Sequence, residues 1–148
     1  MKMSKRKTFC QDILFADAFT DMPLKVRWLY ICLNYGADDD GFVESPNYLS
    51  NVCQCTKKDL QLLADKGYLI LFESGVVLIT HWYVHNKPFR ADRYHETQHQ
   101  KEKSLVWLDP EKVYRLNSER EMQNDSGSFD LNGKVQSEYD CGDLSIRG

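Results

Sequence analysis

Residues 46–79 read PNYLSNVCQCTKKDLQLLADKGYLILFESGVVLI. Ser45-Pro46 opens a helix, with Ser as its cap and Pro in its first turn, where the missing proline N–H would be unpaired anyway. Tyr48, Leu49 and Val52 fall within one turn of each other and give this helix its apolar residues. Cys55-Thr56 is a turn, and Thr56 with Asp59 has the spacing of a capping box. The following helix, Lys57 to Lys66, places Leu60, Leu63 and Ala64 on one face and Lys58, Gln61, Leu62 and Asp65 on the other, at about 100° per residue. Gly67 ends it with a left-handed cap. Tyr68 to Phe72 has the composition of a strand, Ser74-Gly75 that of a two-residue hairpin loop, and Val76 to Ile79 returns antiparallel. That register sets Phe72 opposite Val77 and Ile70 opposite Ile79. Helix, turn, helix and hairpin together predict an α+β fold of the winged helix-turn-helix type, a three-helix core with a β-hairpin wing.

The remaining core helix precedes this unit. Asp21-Met22-Pro23 starts it, and Leu24, Trp28, Ile31, Cys32 and Tyr35 recur as an apolar stripe expected to face the core. Gly36 is read as its left-handed cap. Ala37-Asp38-Asp39-Asp40-Gly41 reads as a solvated turn in which Asp side chains bond local amides, not as a metal site, because no D-x-D-x-D-G ladder follows. Both hairpin strands are apolar on both faces, so further chain must cover them. Thr80 to Asn86 is expected to continue the strand with Trp82 and Val84 inward. Residues 87–103, KPFRADRYHETQHQKEK, interleave five Lys/Arg with aromatic rings. A short strand at Ser104 to Leu108, a turn at Asp109-Pro110 and a last ordered piece at Glu111 to Leu116 follow.

A chain of 148 residues holds enough for one core and an appendage, and its net charge of −3 is unevenly spread. Residues 117–148 hold three of the 19 Lys/Arg and seven of the 22 Asp/Glu, so the acidity sits in the tail. Predicted boundaries are a basic arm over 1–7, a winged-helix domain with its post-wing extension over 8–116, and an acidic tail or linker over 117–148 that is disordered by composition. The five cysteines form no secreted framework and are read as reduced thiols. No signal peptide or membrane span is expected, because no apolar run approaches the length of either. His81/His85 and His95/His99 share four-residue spacing but lack companion ligands, so no metal is expected. Neither a Gly-rich phosphate loop nor a nucleophile with a base appears, so no catalytic residue, cofactor or enzyme activity is expected.

In a helix-turn-helix the second helix enters the major groove by its N-terminal end. Lys57, Lys58 and Gln61 occupy that end, where Lys bonds guanine or phosphate and Gln pairs with adenine. Ser45 and Asn47, at the start of the preceding helix, join them as candidate DNA contacts. Lys5, Arg6 and Lys7 form a basic arm, and Lys87, Arg90 and Arg93 lie on the cationic crossing; both suit backbone contact. Each feature also has a plain alternative: a solvated helix face, a solubilising terminus, an ordinary surface crossing. The wing tip, Glu73-Ser74, carries no cation.

Several separated stretches resemble one family. Asp17-Ala18-Phe19 with Asp21-Met22-Pro23, Ala37-Asp38-Asp39-Asp40-Gly41-Phe42-Val43, Phe72-Glu73-Ser74-Gly75-Val76-Val77, His81-Trp82 with His85-Asn86, and Asp92-Arg93-Tyr94 with Thr97 resemble the N-terminal winged-helix domain of phage replisome organisers. The resemblance covers roughly residues 8–116. It implies a replication initiator in the bacterial host cytosol that binds double-stranded phage origin DNA. It also implies recruitment of a host helicase loader or helicase, and a homo-oligomer on DNA. Fuller members are expected to carry a second, C-terminal domain after the winged helix, where residues 117–148 here read as the acidic tail. The same fold also serves winged-helix transcriptional regulators and protein–protein docking modules, and fold alone does not separate these.

Overall fold

A computed structural model describes residues 7–120. In chain order these form α1 (Gln11–Leu14), α2 (Asp17–Thr20), α3 (Leu24–Tyr35), β1 (Phe42–Val43), α4 (Pro46–Val52), α5 (Lys57–Asp65), β2 (Leu69–Leu71), β3 (Val77–Ile79), α6 (Trp82–His85), α7 (Gln100–Lys103), β4 (Val106–Leu108) and β5 (Tyr114–Leu116). Helices and strands mix, and the strands make two small antiparallel sheets, as an α+β chain should. One has the order β1-β3-β2 and the other is β4-β5. The tail expected over 117–148 lies, from residue 121 on, outside the described residues.

The face that α3 buries is not the predicted one. Leu24, Trp28 and Tyr35 are 72%, 53% and 56% exposed, whereas Val26, Leu29, Tyr30 and Leu33 are buried. Both sets recur at helical spacing, so the helix is apolar on two stripes and periodicity cannot choose between them. Packing chooses: Phe19, Tyr30 and Tyr68 form a cluster of mutually tilted rings with centroids 5.4–5.7 Å apart. Each such pair adds about 0.5–1.5 kcal/mol beyond its buried area. Gly36 is also corrected, since its φ of −89° is not left-handed. α4 packs close against it: a Cβ there would meet Leu49 Cδ1, the flexible end of a side chain, at 2.6 Å.

The hairpin register differs by one residue from that expected. Leu71 pairs with Val77, Ile70 with Leu78 and Leu69 with Ile79. The loop has three residues, Glu73-Ser74-Gly75, closed by the Phe72 N–H donating to Val76 O at 3.1 Å. Gly75 takes φ +91°, the left-handed position that such loops require. Because side chains alternate, Val43, Val77 and Ile79 share one face of the sheet while Phe42 and Leu78 share the other. On that second face Phe42 meets Phe72, His99 and Tyr114 at 6.3, 6.0 and 6.4 Å between ring centroids. On this face the expected cover comes from His99, just before α7, and from Tyr114 of β5.

Thr80 to Asn86 is not a continued strand. Trp82–His85 makes one helical turn, with Trp82 fully buried and Val84 only half-buried. Its indole N–H donates to Asp39 O at 3.0 Å. His85 ties the start of the chain down: Nδ1 accepts the Cys10 N–H at 2.8 Å, and Nε2 lies 2.6 Å from the Tyr30 hydroxyl. With Nδ1 accepting, the neutral ring carries its proton on Nε2 and donates to Tyr30. Burial, and then His81 nearby, holds the His85 pKa down at about 3.

The three consecutive aspartates are not solvated. Asp38, Asp39 and Asp40 are 5%, 7% and 2% exposed. Asp38 Oδ1 does bond local amides, those of Asp40 and Phe42, both at 3.0 Å, as a turn would. The other carboxylate oxygens reach across the chain. Asp38 Oδ2 accepts from the Thr97 hydroxyl at 2.6 Å, and Asp39 Oδ2 from the His95 N–H at 2.9 Å. Asp40 accepts from the Tyr83 hydroxyl, the Tyr94 hydroxyl and the Thr97 N–H at 2.7–2.9 Å, with Lys103 Nζ at 3.6 Å. Buried carboxylates persist only when paired and hydrogen-bonded, and these three strap residues 94–103 onto the loop between α3 and β1. Among the described residues no group of three His, Cys, Asp or Glu is placed to hold a metal ion.

Candidate nucleic-acid interface

The candidate surface is the outer side of α4, the turn after it, and α5. The turn is built by Cys53, Gln54 and Cys55: Gln54 takes φ +56°, and the Cys55 N–H donates to Ser50 O at 2.8 Å. Cys53 and Cys55 are buried beneath it. Burial, with Cys32 alongside, raises the Cys53 thiol to about 12, and burial likewise raises Cys55. Both are neutral packing groups, and Cys32, Cys53 and Cys55 are free thiols. Cys10 is disulfide-bonded, which corrects the expectation of a reduced thiol there.

The predicted capping box starts α5. The Thr56 N–H donates to Asp59 Oδ2 at 2.9 Å, and Lys25 Nζ lies 3.3 Å from the same oxygen. The Thr56 amide, and then Lys25, holds the Asp59 carboxyl below the usual carboxylate range. Leu63 is fully buried, with Leu60 and Ala64 against the core, as the pattern predicts. Leu62, predicted outward, also packs at the core margin.

Lys57, Lys58 and Gln61 are exposed on α5, and Ser45 and Asn47 are exposed at the start of α4. Lys57 and Lys58 make no ion pair among the described residues, so neither charge is neutralised locally. Gln61 is engaged, donating to Asp65 Oδ1 at 2.9 Å, which leaves its carbonyl available. Ser45 precedes α4 as predicted, but its hydroxyl makes no capping bond and stays available.

The other predicted cations lie elsewhere. Lys5 and Arg6 fall outside the described residues. Lys7 is half-buried, with Nζ donating to Tyr35 O at 2.5 Å and sitting 5.9 Å from the Tyr35 ring centroid. Burial lowers its pKa to about 8, against the pull of Asp39 and Asp38. Lys87, Arg90 and Arg93 are exposed, and Arg90 pairs with Asp92 at 3.3 Å. The segment that carries them is anchored through Tyr94, His95 and Thr97 to the aspartate loop, not to α5. The structure therefore leaves Asn47 on α4, Ser45 just before it, and Lys57, Lys58 and Gln61 on α5 exposed, and holds residues 87–93 by a separate anchor. Lys25, the second residue of α3, is not singled out by the sequence, and its contact with Asp59 comes from packing.

No family model, no curated protein and no solved structure matches the chain. Among the described residues no helix is long and apolar enough to cross a membrane.

Proposed function

We propose that this chain binds duplex DNA through a winged helix, with α5 as the reading helix, and serves as a replication initiator of the replisome-organiser kind. The observation that carries the reading is α5 itself. It is a capped helix following a tight turn from α4, buried by Leu63 and presenting unpaired Lys57 and Lys58 at its N-terminal end. The order α3-β1-α4-α5-β2-β3, with sheet order β1-β3-β2, supports it, because this frame sets a hairpin directly after the second helix of the pair.

The wing adds no cation, since its loop is Glu73-Ser74-Gly75. Affinity then rests on α5, the start of α4 and phosphate contacts from nearby lysines, so binding is salt-sensitive and of moderate strength. The protein acts by binding, without chemistry of its own, and recruits host replication proteins in the host cytosol as an oligomer on DNA. The resemblance of the separated stretches favours replication over transcriptional control. The test is selection of bound duplexes from fragmented genomic DNA of the source replicon. Enrichment of clustered repeats within one short region supports initiation. Single dispersed promoter sites support a regulator instead, and no enrichment removes the DNA reading.

One observation favours a docking role as a second reading. Leu24, Trp28, Tyr48 and Val52 are between 53% and 72% exposed on α3 and α4. Large apolar residues grouped on adjacent helices mark interaction surfaces.

A further inference from the structure

Among the described residues no strand pairs with the outer edge of β2, and that edge borders a groove of about 300 Å³. One wall is the C-terminal half of α5, with Gln61, Ala64 and Asp65; the other is β5, with Arg115 and Leu116, continued by Glu119. Thr80 lines the groove as well; its side-chain hydroxyl is buried and has no hydrogen-bond partner among the described residues.

The backbone parity of the two strands decides what the groove can take. The Phe72 N–H donates to Val76 O and the Thr80 N–H to Tyr68 O, so even-numbered residues of this strand bond to β3. Antiparallel pairing alternates, so the N–H and C=O groups of Leu69 and Leu71 point away from β3, toward the groove. On the facing wall the Asp109 N–H donates to Val113 O and the Asn117 N–H to Leu105 O, so odd-numbered residues bond to β4. Leu116 accordingly turns its backbone polar groups away from β4. Strand edges that keep unpaired backbone groups are templates for an added strand.

Charge selects among possible strands. Asp65 and Glu119 stand on opposite walls, both exposed. The guanidinium that might offset them is committed, with Arg115 Nε donating to Asp109 Oδ2 at 3.0 Å. We propose that this groove is a strand-addition site that takes an extended segment of a partner protein carrying a basic side chain. The segment pairs its backbone with Leu69 and Leu71 and sets its cation between Asp65 and Glu119. The site shares Gln61, which bonds Asp65, with the candidate DNA surface but includes neither Lys57 nor Lys58, and it does not depend on the DNA reading.

The probe is a labelled hexapeptide of alternating Val and Lys, titrated into the full chain by fluorescence anisotropy with amide NMR mapping. Saturable binding is expected, with the largest shifts at the Leu69, Leu71 and Leu116 amides. The matching Val/Glu peptide should bind at least tenfold more weakly, and so should the Val/Lys peptide N-methylated at alternate residues. Leu71→Pro removes an edge donor where an edge strand tolerates proline, and should abolish binding while the thermal midpoint reports that the fold survives. Should that variant unfold, the exposed pair Asp65→Lys and Glu119→Lys replaces it, and at least a tenfold loss is expected. Equal binding of the Val/Lys and Val/Glu peptides, or binding indifferent to N-methylation or to the charge reversal, overturns the proposal. So does absence of saturation at millimolar peptide. Concentration-dependent self-association that shifts the same amides without peptide assigns the edge to a second copy of the chain and likewise overturns it.

Discussion

The Tyr94 hydroxyl lies 2.8 and 2.7 Å from the two carboxylate oxygens of Asp40, a residue 54 positions earlier in the chain. Tyr83 shares Oδ1, and the Thr97 amide takes Oδ2. One buried carboxylate thus collects the donors that hold the post-hairpin segment against the loop following α3. Burial first, and then bonding to Asp40, raises the pKa of Tyr94 well above the ordinary phenol range, so it remains a donor across the physiological range.

Replacing Asp40 with Ala should therefore destabilise the fold strongly. It removes the main acceptor of two part-buried hydroxyls and of the buried Thr97 amide, and an unsatisfied group of this kind costs about 1–3 kcal/mol. A loss of about 3 kcal/mol or more is expected in urea unfolding, with residues 94–103 losing amide protection before the rest. A loss within about 0.5 kcal/mol, the range of ordinary surface changes, would show that the segment is held by its ring contacts alone.

Acid should weaken the fold through its buried histidines. The pKa of His85 is lowered to about 3 and that of His81 to about 4, in both cases chiefly by burial. A histidine depressed in the folded state binds its proton more readily when unfolded. Its stabilisation is complete above the unfolded value near 6.5 and is lost as pH falls toward the folded value. Each group contributes at most about 1.4 kcal/mol per pH unit to this slope. Asp38, raised mainly by burial, works in the opposite sense over its own range and offsets part of the loss. The urea midpoint should fall between pH 6.5 and pH 4. A midpoint constant over that interval would contradict neutral, buried histidines.

Two glycines with similar backbone angles should respond very differently to alanine. Gly41 has φ +95°, and a Cβ there would lie 2.6 Å from Trp82 Cγ and 2.7 Å from Trp82 Cβ. Trp82 is itself fully buried and bonded to Asp39, so it has nowhere to move. The left-handed backbone costs about 1–2 kcal/mol and overpacking about 1–3 kcal/mol more. Gly75 has φ +91° with nothing within 4 Å, so Gly75→Ala should cost only the first of these. Equal thermal shifts for the two variants would contradict the close approach of Trp82 to the aspartate loop.

Local signals in the sequence were legible, and long-range ones were not. Thr56 and Asp59 announce the start of α5 because a capping box is made within four residues. Leu63 follows because α5 is apolar on one side only. α3 misleads because it is apolar on two sides, and only the packing of Phe19 and Tyr68 on Tyr30 selects between them. The hairpin slips by one residue because Ser74-Gly75 suits a two-residue loop, whereas Gly75 instead supplies the left-handed position of a three-residue one. Asp38 to Asp40 read as a solvated turn because their partners lie more than 50 residues away at Tyr94 to Lys103. Among the candidate DNA contacts, exposure of Lys57 and Lys58 followed from helical phase. The burial of Lys7 against Tyr35 did not, because it depends on where the chain start packs.

The central claim is that α5 reads DNA, and a charge-matched comparison tests it most directly. Lys57 and Lys58 are changed together to Ala, and separately Lys101 and Lys112, all four being exposed. Binding to a duplex recovered by selection is then titrated by fluorescence anisotropy across a salt series. The Lys57/Lys58 variant should lose about tenfold or more in affinity, and its salt slope should shallow by about 0.9 for each phosphate contact removed. The Lys101/Lys112 variant should stay within about twofold of the parent, given that surface pairs away from the interface contribute only through screened, long-range charge. Equal losses in the two variants, with equal salt slopes, would contradict α5 as the reading helix.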